Sequence, residues 1–343
     1  MAQRQLALAT IAAWWVLGAC QKPSGIPTMT TTQNGSTVDA SAPAALRAFY
    51  SGHSLSDGIP EVIAGLAAAR GKSWSHVIRS APGSLLRERA AWPDEQTFDA
   101  LVATERHDLP YAAYHEQTVK HLSQLHARHV KQNPAGRTWF YHVWMSGART
   151  SPQAFVDYER RALPLWECVA SQVNRMNAAQ GTPGRVLVLP GATALADLVQ
   201  DLMADRVLGI VGATPDERIG AVFRDDVHLT PIGTYFLAAI HYSTLFGESA
   251  EGIAPPPEIA LPLAHELQRR AWQHVLAYAP QAEAAASRDM SACRAYAADV
   301  MCEAFHNLPS VAGQGVLSAL KNTKNKVLCR MRYNADDPKN PFR

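Results

Sequence analysis

The chain predicts an α/β fold, a parallel five-stranded sheet with helices on both faces, followed by a helical C-terminal extension that carries cysteines. Three observations lead there. Short runs rich in β-branched and aromatic residues alternate with helix-period segments, and strand–helix alternation is the pattern of a parallel sheet. Pro255-Pro256-Pro257 closes the alternating part. Three of the four cysteines beyond the N-terminal region, Cys293, Cys302 and Cys329, lie after it, while Cys168 lies before it.

In chain order, strands are expected at 46–51, 75–79, 100–104, 138–144 and 185–189, runs rich in β-branched and aromatic residues such as Phe49-Tyr50 or Trp139-Phe140-Tyr141. Helices are expected at 59–70, 111–131, 152–176, 192–204 and 231–245. Thr230 can cap the last of these, and Pro231 suits its first position. Beyond the prolines a helix is expected over 262–287. The organisation reads as 1–19, a cleaved leader; 20–44, a tether; 45–250, the sheet domain; and 251–343, the extension.

Composition narrows the class. Apolar residues are 47% and charged ones 18% of 343 residues, an ordinary globular mix that excludes a disordered, collagen-like or coiled-coil chain. Thirty-two basic residues against 30 acidic ones leave a net charge of +2, which gives no electrostatic footprint for nucleic acid. No stretch approaches the ~20 apolar residues of a membrane-spanning helix.

The first segment reads as an address. Arg4, an apolar run from Leu6 to Leu17, and then Gly18-Ala19-Cys20 follow the secretory pattern. Leu17-Gly18-Ala19-Cys20 resembles a bacterial lipobox, which implies cleavage before Cys20, lipidation there and a lipid anchor to the cell envelope. Gln21 in place of an Asp points to the outer membrane. Residues 21–44 are rich in Ser, Thr, Pro and Gly without apolar periodicity, the composition of a tether. In an exported protein the even set Cys168, Cys293, Cys302 and Cys329 suggests disulfides. Their spacing does not fix the pairing, and no pair has the gap of a zinc knuckle. No metal site and no cofactor is expected.

Two segments carry chemistry. After the first strand the chain reads Gly52-His53-Ser54-Leu55-Ser56-Asp57-Gly58, a serine at a strand-to-helix turn whose hydroxyl would face the crevice at the strand ends. It is not the Gly-x-Ser-x-Gly elbow of α/β-hydrolases, because Ser56 stands where the second glycine belongs. The other segment is Arg224-Asp225-Asp226-Val227-His228-Leu229-Thr230-Pro231. An Asp three residues before His228 can reach one imidazole nitrogen and leave the other for a serine hydroxyl.

These blocks resemble the SGNH (GDSL-type) hydrolases over residues 45–247. Gly52-His53-Ser54-Leu55 matches the first block with His53 in place of the usual Asp, and Asp225-Asp226-Val227-His228 matches the terminal Asp-x-x-His block. The resemblance implies a flavodoxin-like three-layer sandwich, with Ser54 as nucleophile, His228 as general base and Asp225 as its partner; Asp226 is the rival acid. It also implies an oxyanion hole from the N–H groups of Ser54 and Gly83, although Gly83 in Ala81-Pro82-Gly83-Ser84 reads equally as a plain turn glycine. The third block departs from the family. Where Gly-x-Asn-Asp is usual, the chain has Thr104-Glu105-Arg106-His107-Asp108. Either Arg106 replaces the missing amide or two backbone N–H groups suffice.

The expected activity is a serine esterase acting on small acyl esters, O-acetyl groups above all, on a cell-envelope or extracellular carbohydrate. An O-acyltransferase, a thioesterase or a lipid esterase could use the same triad, and a catalytically inactive glycan-binding lipoprotein is the non-enzymatic alternative. Three features get plainer readings. His126 and His129, spaced to hold a metal, are read as polar residues on an exposed helix. Trp139, Trp144 and Trp166 are read as core or as a sugar-stacking platform. The seven basic residues of 321–343 are read as a solvated, disulfide-pinned tail, the other reading being a surface for anionic lipid or polysaccharide.

Overall fold

Five strands, β1 (Ala45–Gly52), β2 (Ser73–Ser80), β3 (Ala100–Ala103), β4 (Arg137–Tyr141) and β5 (Val186–Leu189), form one all-parallel sheet in the order β2-β1-β3-β4-β5. They come from a computed structural model that describes residues 42–93, 96–334 and 336–343. The leader, Cys20 and nearly all of the tether lie outside the described residues.

Helices α1 (Ile59–Ala69), α2 (Leu109–His115), α3 (Thr118–Gln132), α4 (Pro152–Ala179), α5 (Gly191–Met203), α6 (Pro215–Gly220) and α7 (Pro231–Phe246) connect and follow the strands. Helix α1 packs on α7, and α3 on α4. Consecutive side chains of a strand point to opposite faces, and the core shows the two layers. Phe49 of β1 meets Trp92 and Phe98 at 5.2 and 5.5 Å. Its neighbour Tyr50 turns the other way and bonds His241 of α7 through its hydroxyl, 3.1 Å from Nδ1. In β4 the same alternation sets Phe140 against Trp166 of α4, at 4.5 Å, and Tyr141 against His241, also at 4.5 Å. Both faces are covered, so β3 (Ala-Leu-Val-Ala) is buried throughout. The architecture is the α/β three-layer sandwich with a parallel five-stranded sheet.

Two elements differ from expectation. The helix expected over 111–131 is two helices, because Gln117 adopts a left-handed φ of 55° between α2 and α3. The Thr118 hydroxyl opening α3 is anchored 2.8 Å from Glu105 Oε2. The strand expected over 138–144 ends at Tyr141, and 142–146 continue irregularly beside the strand ends.

The extension holds α8 (Leu261–Ala285), then α9 (Met290–Ala295) running through a π-helical turn (Tyr296–Met301) into α10 (Cys302–Asn307), then α11 (Pro309–Ala312) and α12 (Val316–Arg332). Helix α8 packs along α7. The disulfide Cys168–Cys293 ties α4 to α9, and Cys302–Cys329 ties α10 to α12. The end of the chain is not simply solvated. Phe342 and Asn340 are buried, and the Tyr333 hydroxyl donates to the Pro110 carbonyl at 2.7 Å.

Candidate active site

The sheet order places β1 between β2 and β3, so the chain leaves β1 to one side and returns to the other. Ligands of open α/β sheets bind at such a reversal, beyond the carboxyl ends of the strands. Ser54 sits there, two residues past the end of β1. The approach is tight: a Cβ on Gly52 would lie 2.5 Å from the Ser56 hydroxyl oxygen, so only glycine lets the strand turn there. The turn is closed by Ser56 N–H donating to the His53 carbonyl at 2.7 Å. The N–H of Ser54 makes no hydrogen bond among the described residues.

His53, where the family resemblance calls for Asp, is buried. Its Nε2 donates to the Glu105 carbonyl at 3.2 Å, and its Nδ1 accepts from Leu55 N–H at 3.4 Å. Burial, aided by the nearby Arg89 guanidinium, lowers its pKa to about 4. At neutral pH it is therefore an uncharged brace between the turn after β1 and the loop after β3.

His228 reaches the same crevice from a short antiparallel turn. Phe223 pairs with Leu229, Arg224 N–H donates to the His228 carbonyl at 2.9 Å, and Thr230 N–H donates to the Val222 carbonyl at 2.9 Å. The Thr230 hydroxyl accepts from Gly233 N–H at the start of α7 and also donates to the Ala221 carbonyl at 2.6 Å, a cap worth about 1 kcal/mol. Asp225 folds back on this turn. Its Oδ1 accepts from the N–H groups of Val227 and His228 at 2.8 and 2.7 Å, and its Oδ2 lies 2.8 Å from His228 Nδ1. Burial alone would raise the Asp225 carboxyl, but those two N–H donors and the imidazole outweigh it and hold the pKa at about 2. The group is an anion at any working pH. His228 Nε2 then has no hydrogen-bond partner among the described residues, Ser54 included, and His228 is one of the residues that line the crevice.

Asp226, the rival acid, is engaged elsewhere. Its carboxylate accepts from Arg149 N–H (3.2 Å), Thr150 N–H (2.9 Å) and the Thr150 hydroxyl (2.9 Å). It fixes the loop before α4, not the imidazole.

Ser54 and His228 line one crevice of about 540 Å³, together with Asp57, Pro82, Trp144 and Arg224. Trp144 is fully buried and donates from its indole to the Val227 carbonyl at 2.7 Å, so it forms a wall and steadies the His228 turn. Trp139 and Trp166 are buried as well, Trp166 between Phe140 and His142. None of the three is an exposed sugar platform.

The oxyanion donors are less complete. Gly83 is an exposed turn residue with φ of 65°; its neighbour Pro82 borders the crevice, whereas Gly83 does not. Arg106 is not on the crevice either. Its guanidinium forks onto Asp108 at 2.6 and 2.7 Å, which fixes its direction with two of its five N–H donors. Glu105 is buried and turned inward, accepting from Leu86 N–H, Arg106 N–H and the Thr118 hydroxyl. Burial raises its carboxyl pKa against those three donors.

Residues not singled out from the sequence hold this frame. Arg89 is buried. It donates to Ser84 Oγ (2.7 Å), Ser51 Oγ (3.1 Å), the Thr104 carbonyl (2.9 Å) and the Ser84 carbonyl (3.3 Å). One guanidinium thus joins the ends of β1 and β3 to the Ala81–Ser84 turn. Along the segment after β4, buried Glu159 of α4 accepts from Met145 N–H at 2.7 Å and faces buried His142 at 3.4 Å. His126 and His129 are fully buried, not exposed. Both Nδ1 atoms lie 2.9 Å from the Thr138 hydroxyl, and the Nε2 atoms face the carbonyls of Pro183 and Phe98. Among the described residues no group of three His, Cys, Asp or Glu could hold a metal ion.

No family model matches the chain, and no curated protein does. Among solved structures it is similar to a DUF4886 family protein from Bacteroides uniformis ATCC 8492, at 13% identity and a TM-score of 0.47, over 68% of this chain and 96% of that one. At that similarity the neighbour bears on neither activity nor substrate.

Proposed function

We propose that the protein is a serine ester hydrolase of the SGNH type, acting on small acyl esters such as O-acetyl groups of a cell-envelope or extracellular carbohydrate. The observation that carries this reading is that Ser54 and the Asp225-oriented His228 line one crevice at the sheet's reversal point. A serine hydroxyl is too weak an acid to react unaided, and an imidazole with a fixed tautomer supplies the base. In the proposed reaction His228 Nε2 takes the Ser54 proton as Oγ bonds to the acyl carbon. The oxyanion rests on the free N–H of Ser54. The sugar oxygen then leaves with the proton from His228, and water, activated by the same imidazole, releases the acid and restores Ser54.

The third block shapes the expected rate. A missing oxyanion donor costs roughly 2.7–4 kcal/mol of transition-state stabilisation. With Arg106 tied to Asp108, turnover should be slow unless substrate binding draws the Gly83 N–H inward. Cys20 is proposed to carry a lipid anchor that holds the protein at the envelope, with the acylated glycan as its substrate partner.

A fluorophosphonate probe tests the reading. The folded protein should label at Ser54 and release acetate from p-nitrophenyl acetate, and Ser54→Ala or His228→Ala should abolish both. A folded wild-type chain that stays unlabelled rejects the hydrolase in favour of a glycan-binding module. Transfer of acetyl to an added sugar in preference to water would make it an acyltransferase. A labelled fatty acid fed to cells that make the protein should become attached at Cys20 and be lost in Cys20→Ala, and a native chain that takes up no label would reject the anchor.

A further inference from the structure

Helix α12 is turned inside out. Val316, Leu317, Leu320, Val327, Leu328 and Met331 are all solvent-exposed, from 37% (Leu328) to 84% (Leu317). At 100° per residue these six fall within an arc of about 120°. Cys329, disulfide-bonded to Cys302, lies opposite the arc and is buried. The inward side is held by polar contacts, with Asn322 donating to the His306 carbonyl and Lys326 to Glu303. The apolar face is therefore left largely uncovered by the described residues, and a contiguous exposed apolar stripe marks an interaction surface.

The charges on the stripe select its occupant. Lys324 lies within the arc and Lys321 on its flank, both exposed. Neither has a carboxylate partner among the described residues, whereas Lys326 and Arg330 are paired with Glu303. The stripe itself carries no acidic residue. A second copy packed through this face would set these lysines against each other with nothing to neutralise them. An anionic bilayer surface offers apolar depth for the leucines and negative headgroups for the lysines.

We infer that the exposed face of α12 is an interfacial membrane-docking surface selective for anionic lipid. It is independent of the proposed lipidation of Cys20 and of the esterase reading. Its consequence is a body that lies against the bilayer, not one that merely hangs from an anchor.

The test is co-sedimentation with vesicles, using the chain from residue 20 onward with Cys20→Ala so that no acyl group contributes. Vesicles of phosphatidylcholine alone are compared with vesicles containing about 30 mol% phosphatidylglycerol, at about 0.15 and about 0.5 M salt. The chain should bind the anionic vesicles and weaken with salt. Leu317→Asp with Leu320→Asp, or Lys321→Glu with Lys324→Glu, should each lower the partition coefficient roughly tenfold or more while leaving thermal unfolding unchanged. Absent binding, equal binding to neutral vesicles, or variants that bind like the native chain would overturn the inference. So would a concentration-dependent dimer in sedimentation velocity that Leu320→Asp dissolves, since the stripe would then serve a second copy.

Discussion

Asp225 and Asp226 are neighbours with separate duties: one carboxylate sits 2.8 Å from His228 Nδ1, and the other binds the backbone and hydroxyl of Thr150. Asp225→Asn should therefore misorient the imidazole and lower kcat for p-nitrophenyl acetate by about 10²–10⁴-fold. Asp226→Asn should instead cost about 1–2 kcal/mol of stability with a much smaller effect on kcat. Kinetics and urea unfolding of both variants check this. A greater kcat loss in Asp226→Asn would reverse the two duties.

Arg89 should behave as a keystone of the crevice. Burial lowers its pKa to about 10, with Glu105 and Glu88 opposing, so it remains a cation held mainly by neutral oxygens. Arg89→Met would strand the carbonyls of Ser84 and Thr104 and should cost about 3–5 kcal/mol. Arg89→Lys should restore little, because an ammonium cannot span acceptors on three segments. The readouts are the unfolding midpoint and the rate of Ser54 labelling. A lysine variant as stable as the native chain would contradict the bridging role.

What the sequence made legible was local. Apolar runs such as Phe49-Tyr50 and Trp139-Phe140-Tyr141 marked strands, because a parallel sheet buried on both faces needs them. The Asp225–His228 pair was legible because three residues of one turn suffice to join them. Features built from distant partners were not. His126 and His129 are buried against the Pro183 and Phe98 carbonyls, 57 and 31 residues away, and no helical periodicity reports such acceptors. A buried Arg89 runs against the usual exposure of arginine. The break at Gln117 is a single left-handed residue inside an uninterrupted helix-like pattern. The outward stripe of α12 reads from sequence like any amphipathic helix, since the pattern does not say which face meets the protein.

The buried pair Glu159 and His142 makes stability depend on pH. Burial raises the Glu159 carboxyl pKa from 4.5 to about 8, opposed by the bond from Met145 N–H, and burial lowers His142 to about 3. Between about pH 4.5 and 8 the folded chain keeps a Glu159 proton that the unfolded chain has released. The Glu159 contribution is thus fully present below pH 4.5 and is lost as pH rises through 8. His142 runs oppositely, its contribution present above 6.5 and lost as pH falls through 3. Glu159→Gln removes the first titration and keeps an acceptor for Met145. Relative to the native chain, it should gain roughly 2–4 kcal/mol between pH 5 and pH 8, measured by urea unfolding at each pH. Parallel profiles would mean that Glu159 does not titrate in this window.

The two disulfides should differ in weight. Cys168–Cys293 closes a separation of 125 residues and Cys302–Cys329 one of 27. Loop-closure entropy then gives about 5 kcal/mol for the first and about 3.5 kcal/mol for the second, both as upper bounds. All four cysteines are buried, so paired alanine substitutions leave similar small cavities and the cavity contribution largely cancels between the variants. The long bridge also binds the extension to α4, whereas the short one closes only within the extension. Cys168→Ala with Cys293→Ala should therefore lower the thermal midpoint more than Cys302→Ala with Cys329→Ala. At about 1.5 °C per kcal/mol for about 300 ordered residues, the gap should be about 2 °C. A lower midpoint in the Cys302/Cys329 variant would show that packing of α12 against α10, not chain closure, sets the stability of the extension.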